Sequence, residues 1–212
     1  MQFGSPAQAK LPGAVEDQLI ASRGAFQLVF DQQIDELARW PVLVLPGCAA
    51  LSDMQVEKIR RYVADGGRLC VIGPLATHNE WMLPRRKPAL DDLPADRVVR
   101  VGEKGDWLGA IRRARGGSLS FSVDSESPGL CAELTEQPGR RMVHLVNYRS
   151  DGPAKAVAVR VALPKGRKAK SVALASPEHE RDIALPFSPA PGAVSFTIPA
   201  IGIYEIAVVT LE

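Results

Sequence analysis

Cys48 stands in the segment PGCAAL, directly after the apolar run Val42 to Leu45. A thiol at the end of a buried strand can be an acyl-transfer nucleophile when a tight Gly-x-Cys-x-Gly turn opens a helix beneath it. That turn strains the side chain upward and aims backbone N–H groups at a developing oxyanion. Cys48 has Gly47 before it but Ala49 and Ala50 after it, and the elbow position, after the next strand, reads Gly73-Pro74-Leu75. The His-x-Glu partner that such a thiol would need has only a near match, Glu178-His179-Glu180, far along the chain. A small thiol packing as a hydrophobe is the simpler reading, so no catalytic residue is assigned.

His78, Asn79, Glu80 and Trp81 form the other cluster with chemistry in it. They follow the second apolar strand at its carboxyl end, where open α/β sheets place ligands, and an aromatic beside polar groups suits a sugar ring. The four are taken as a candidate ligand or interface loop, against the simpler alternative of a polar loop with Trp81 packed on its own domain. Gly66-Gly67 follows a helix and precedes a strand, the reverse of a phosphate-binding turn, so it reads as a helix stop. His78, His144 and His179 are dispersed, whereas zinc ligands usually come in close pairs. His144 in MVHLVNY is expected to face a second layer or a domain contact. No metal or cofactor set is assigned.

Positioning any of these residues requires a scaffold, and composition bounds it. The chain has 212 residues, 46% of them hydrophobic, which is comfortable for two domains with sizeable cores. With 26 basic and 24 acidic residues the net charge is +2, and the basic groups lack interleaved aromatics, so a nucleic-acid partner is not expected. No apolar run approaches the roughly 20 residues that span a bilayer. The N-terminal MQFGSPAQAKLPGA lacks the apolar core of a signal peptide, and three widely spaced cysteines make no disulfide framework. A cytoplasmic protein with no membrane partner is the expectation.

The first half alternates helix and strand signals. Glu16 to Arg23 is a short helical candidate, Phe26 to Phe30 (FQLVF) is strand-like, and Ile34 to Arg39 is a brief helix. Val42 to Leu45 and Arg68 to Ile72 are short apolar runs joined by an amphipathic helix, Ser52 to Asp65, the pattern of a parallel sheet covered on both faces. Ser52 and Gln55 make a capping box. A long loop covers His78 to Pro94, Val98 to Val101 is an edge strand, and Asp106 to Arg115 a helix. Nothing before Glu16 resembles the strand that usually opens such a fold, so a lost strand or a fragment is suspected. From Leu119 onward the rhythm changes to eight short segments with period-two alternation, clearest at Val157, Val159 and Val161, which argues an antiparallel β-sandwich. The boundary is placed near Arg115-Gly116-Gly117, giving domains 1–115 and 116–212.

These pieces carry a resemblance. Tyr62 to Gly73 (YVADGGRLCVIG), preceded by Pro41 to Gln55 (PVLVLPGCAALSDMQ), resembles the glutamine-amidotransferase-like domain that follows the catalytic barrel of family-42 β-galactosidases, their trimerisation domain. Arg140 to Tyr148 (RRMVHLVNY), the strand ending at Leu163-Pro164, and Phe196 to Val209 (FTIPAIGIYEIAVV) resemble the small C-terminal β-sandwich of the same enzymes. The likeness runs over roughly residues 25 to 210 and keeps the order of the pieces. It implies a flavodoxin-like, class I amidotransferase-like three-layer domain, then an all-β antiparallel sandwich. It also implies a role in carbohydrate metabolism as a non-catalytic oligomerisation region, self-associated or docked on a catalytic barrel. The hydrolytic glutamates of that family lie on a barrel of about 250 residues, for which this chain has no room. Two further readings are a carbohydrate-binding module, using Trp81, Trp107 or a sandwich aromatic, and a residual amidotransferase-like hydrolase.

Overall fold

The computed structural model describes residues 6–117 and 119–212. The N-terminal residues 1–5, which the sequence leaves without a strand, lie outside them. The chain divides into two compact units: one holds residues up to Gln18 and 27–117, the other 19–26 and the chain beyond Gly117.

The first unit is built on a parallel sheet of three strands, β1 (Val42–Pro46), β2 (Arg68–Ile72) and β3 (Val98–Val101), in that spatial order. Val42 stands opposite Arg68, and Leu69 opposite Val98. Leu69 through Ile72 are essentially without exposure, because β2 is central and covered on both faces. Leu69 and Val71 pack with Ile59 and Val63 of α2 (Asp53–Ala64) and with Leu37 of a 3₁₀ helix (Asp31–Arg39). Helix α3 (Trp107–Arg115) packs on β2 and β3 and buries Ala110 and Ala114.

Local chemistry explains why α2 begins and ends where it does. Ser52 Oγ accepts from the Gln55 amide at 3.1 Å while Gln55 Oε1 accepts from the Ser52 amide at 2.8 Å. Ile59, Tyr62 and Val63, at i, i+3 and i+4, form its buried face. Gly66 (φ +102°) turns the chain in a conformation that disfavours a side chain. Gly67 is fixed by packing instead: a Cβ there would lie 2.3 Å from the Tyr62 ring. The Tyr62 hydroxyl donates to the Trp40 carbonyl at 2.9 Å, which ties α2 to the approach to β1.

Two expectations for the segments before β1 are corrected. The helix over Glu16 to Arg23 is α1 (Pro6–Ala21), which runs through Pro12. Phe26 to Phe30 forms no strand. Phe26, Leu28 and Phe30 alternate as a strand would, but all three are exposed, and no neighbouring strand supplies a ladder. Apolar alternation is a property of the residues, whereas a strand is a property of a pair.

The second unit is a β-sandwich. A four-stranded antiparallel sheet, ordered β10-β11-β7-β4, faces a five-stranded one, ordered β5-β6-β12-β8-β9. The first sheet comprises β4 (Phe121–Asp124), β7 (Ala154–Ala162), β10 (Phe187–Ala190) and β11 (Ala193–Ile201). The second comprises β5 (Leu130–Gln137), β6 (Arg140–Asn147), β8 (Ala169–Ala175), β9 (Ile183–Leu185) and β12 (Tyr204–Leu211). Val157, Val159 and Val161 meet Val143, Leu145, Ala207 and Val209 in the core between the sheets. The segment Ile183 to Phe187, read as one strand, is two: Pro186 separates β9 from β10, and the chain changes sheets there.

Candidate functional site

The loop after β2 is held by backbone bonds to the loop after β1. Gly47 N–H donates to the Ile72 carbonyl at 2.8 Å, Ala76 N–H to Cys48 at 2.8 Å, and His78 N–H to Ala49 at 2.9 Å. Arg85 closes the loop from its far end, donating to the Leu51 carbonyl at 2.9 Å and pairing with Asp53 at 2.7 Å. The turn that would carry a nucleophile is filled by packing. Gly73 (φ +76°) approaches Glu103 and Leu11 closely enough that a Cβ would touch both, and Leu75 and Ala76 are buried.

The four loop residues divide into two pairs. His78 is half-buried, its Nδ1 lying 2.9 Å from Thr77 Oγ1, and it forms bridges to Ala50 and Pro84. The Asn79 side-chain oxygen accepts from the amides of Trp81 at 3.1 Å and Leu83 at 2.9 Å. These two side chains are spent on the shape of the loop. Glu80 and Trp81 project from the tip it shapes, and Trp81 is 76% exposed with Leu83 exposed two residues on. A hydrogen-bonded turn thus carries an aromatic and an aliphatic side chain into solvent, against the reading of Trp81 as packed on its own domain.

Burial pushes the Cys48 thiol up to about 11, and its Sγ donates to the Pro46 carbonyl at 3.8 Å, an acceptor that favours the protonated thiol. Burial likewise pushes Cys70 up to about 11. A thiol so raised holds few thiolates at neutral pH, the opposite of what a nucleophilic cysteine needs. His144 faces away from the inter-sheet core, with Nε2 2.8 Å from Thr135 Oγ1 and Nδ1 2.7 Å from the Tyr204 hydroxyl. Among the described residues no group of three or more His, Cys, Asp or Glu side chains could hold a metal ion. No helix of the described residues is long and apolar enough to cross a membrane.

One buried charge escaped the sequence reading. Glu205 is 2% exposed and shares the inward parity of β12 with Ala207 and Val209. Its Oε1 lies 3.3 Å from His179 Nε2, while its Oε2 has no hydrogen-bond partner among the described residues. Burial raises its carboxyl above the ordinary range, and His179 opposes the shift. The signal was present in YEIAV, where a glutamate occupies a position that period-two alternation assigns to the core.

No family model matches the chain, and no curated protein does. Solved structures do. An α-L-fucosidase isoenzyme 2 from Paenibacillus thiaminolyticus is similar with a TM-score of 0.70 at 16% identity, over 96% of this chain and 45% of that one. A GH42 β-galactosidase from G. stearothermophilus is similar at 0.62 and 10% identity, over 98% of this chain and 37% of that one. An exo-carrageenase GH42 from Bacteroides ovatus is similar at 0.54 and 13% identity, over 95% of this chain and 26% of that one. The chain therefore has a fold that parts of several glycoside hydrolases also have. It spans less than half the length of each of these three.

Proposed function

We propose that this chain is a non-catalytic accessory region of a glycoside hydrolase-like protein, acting in carbohydrate metabolism, and that its physical task is assembly. In this reading the α/β unit is amidotransferase-like in descent, and its loop tip makes a contact with a second copy of the chain. The observation that carries the reading is the Trp81–Leu83 tip, where apolar side chains stand in solvent on a turn pinned by Asn79. A mobile loop would lose entropy on docking, whereas a pinned one has already lost it. Tryptophan is also the side chain most often found at the energetic centre of interfaces. The packed turn at Gly73 to Ala76 and the raised Cys48 thiol support the non-catalytic half of the proposal.

The test is light scattering on the whole chain and on Trp81→Ser. Burying an indole removes roughly 150–250 Å² from water. At about 25 cal/mol per Å², that amounts to roughly 4 kcal/mol, of which hot-spot substitutions typically show 2 kcal/mol or more. Trp81→Ser is expected to raise the dissociation constant by at least about 30-fold. Unchanged association would remove the tip from the contact.

A further inference from the structure

The outer face of β4, β7, β10 and β11 is hollowed into a cleft of about 450 Å³, within the range of small-ligand sites. Its lining follows from the strand register. Ser122, Arg160, Ser195 and Ser188 stand opposite one another on four adjacent strands and form one row across the sheet. The next row holds Asp124, Ala158 and Thr197. These residues face outward because Val123, Val159 and Phe196 between them turn inward to the core.

Serine and alanine are short, so the face is concave where longer side chains would fill it. Pro186 borders it at the β10 edge, while the Phe187 side chain, opposite inward-facing Phe196, packs on the core. Arg160 and Asp124 lie diagonally across the two rows, within the reach of long side chains on one sheet face. Among the described residues neither is in an ion pair. The cleft therefore offers an unpaired guanidinium, an unpaired carboxylate, several hydroxyls and a small apolar floor at Ala158. Guanidinium and carboxylate supply a fixed donor and a fixed acceptor, and hydroxyls turn to serve as either. That set matches a ring bearing several hydroxyls on one side and C–H groups on the other.

We infer that this cleft is a saccharide-binding site, with Arg160 and Asp124 on ring hydroxyls and Ala158 against the apolar face of the sugar. The ligand class rests on the carbohydrate-active reading proposed above, but the site shares no residue with the Trp81 tip. It lies on the sandwich, one of the places the sequence offered for sugar binding, but uses neither Trp81 nor Trp107 nor a sandwich aromatic.

An amide-resolved NMR titration of the whole chain tests it, with galactose, L-fucose, lactose and cellobiose as probes at tens of millimolar. Binding by any of them is expected to shift amides at 121–124, 158–160, 187–188 and 195–197 while leaving the Trp81 loop unmoved. Arg160→Ala should weaken that binding about tenfold, the size expected for losing a charge-assisted hydrogen bond. Ala158→Trp, at an exposed position, should abolish it by filling the floor, with core amides unchanged to show that the sandwich is intact. Absence of shifts with all four sugars, shifts confined to other surfaces, or full binding by Arg160→Ala would each overturn the inference. Light scattering on Trp81→Ser reads the assembly proposal separately, so the failure of one does not imitate the failure of the other.

Discussion

Replacing Glu205 by Gln should stabilise the sandwich at neutral and alkaline pH. The carboxylate sits on the inward face of β12 with one oxygen unpartnered, 2% exposed. An unsatisfied buried polar atom costs about 1–3 kcal/mol, and more when it is charged; Gln keeps the polar atom and removes the charge, for a relief of about that size. The opposing contribution is the contact with the partly exposed His179 at 3.3 Å, worth about 0.5 kcal/mol for a pair of this kind. The balance is a gain of about 0.5–2.5 kcal/mol for Glu205→Gln, each kcal/mol being worth about 4–8 °C in Tm for a unit of this size. The pH dependence has a definite sign. Because burial raises the folded-state pKa, stability is greatest below the unfolded carboxyl value and falls as pH rises through the folded one. The wild type should therefore lose stability from about pH 4 upward relative to the variant, and the two should converge below it. Trp40, Trp81 and Trp107 all lie in the first unit, so tryptophan fluorescence follows that unit and far-UV circular dichroism is needed for the strands. Urea titrations at acid, neutral and alkaline pH give the comparison. A variant less stable than wild type at pH 8, by a margin that grows with pH, would show instead that the carboxylate is stabilised where it sits.

Two further outcomes follow from the first unit. Gly67→Ala drives a methyl group into the Tyr62 ring and should destabilise the unit by about 1–3 kcal/mol by tryptophan fluorescence, with a smaller loss in a Tyr62→Leu background. Cys48 and Cys70, both raised to about 11, should resist alkylation at pH 8 in the folded chain and react only on unfolding, so at most one thiol of three should label quickly.

The strands that were legible are those whose neighbours could be inferred from the sequence. Val42 to Leu45, the Ser52–Gln55 cap and Arg68 to Ile72 came through because a βαβ unit carries its partner strand within some thirty residues. FQLVF misled because its alternation is strand-like and only the missing partner, which no local pattern reports, decides the matter. Ile183 to Phe187 failed at Pro186, which ends β9 and lets the chain cross to the other sheet. At the loop tip, the sequence singles out four residues together but does not show their division of labour. Asn79 and His78 carry side chains that look like ligands and are consumed by backbone and neighbour bonds. The cleft on the sandwich was invisible for a different reason. Ser122, Arg160, Ser188 and Ser195 come from four strands spread over more than sixty residues, and only the register aligns them. Glu205 was legible in principle, as an acid at an inward parity.

The central claim is that the chain associates. Sedimentation equilibrium of the wild-type chain across the micromolar range measures this directly. The expected mass is a multiple of 22.8 kDa that falls toward one copy in Trp81→Ser. A single species of 22.8 kDa throughout that range would contradict it.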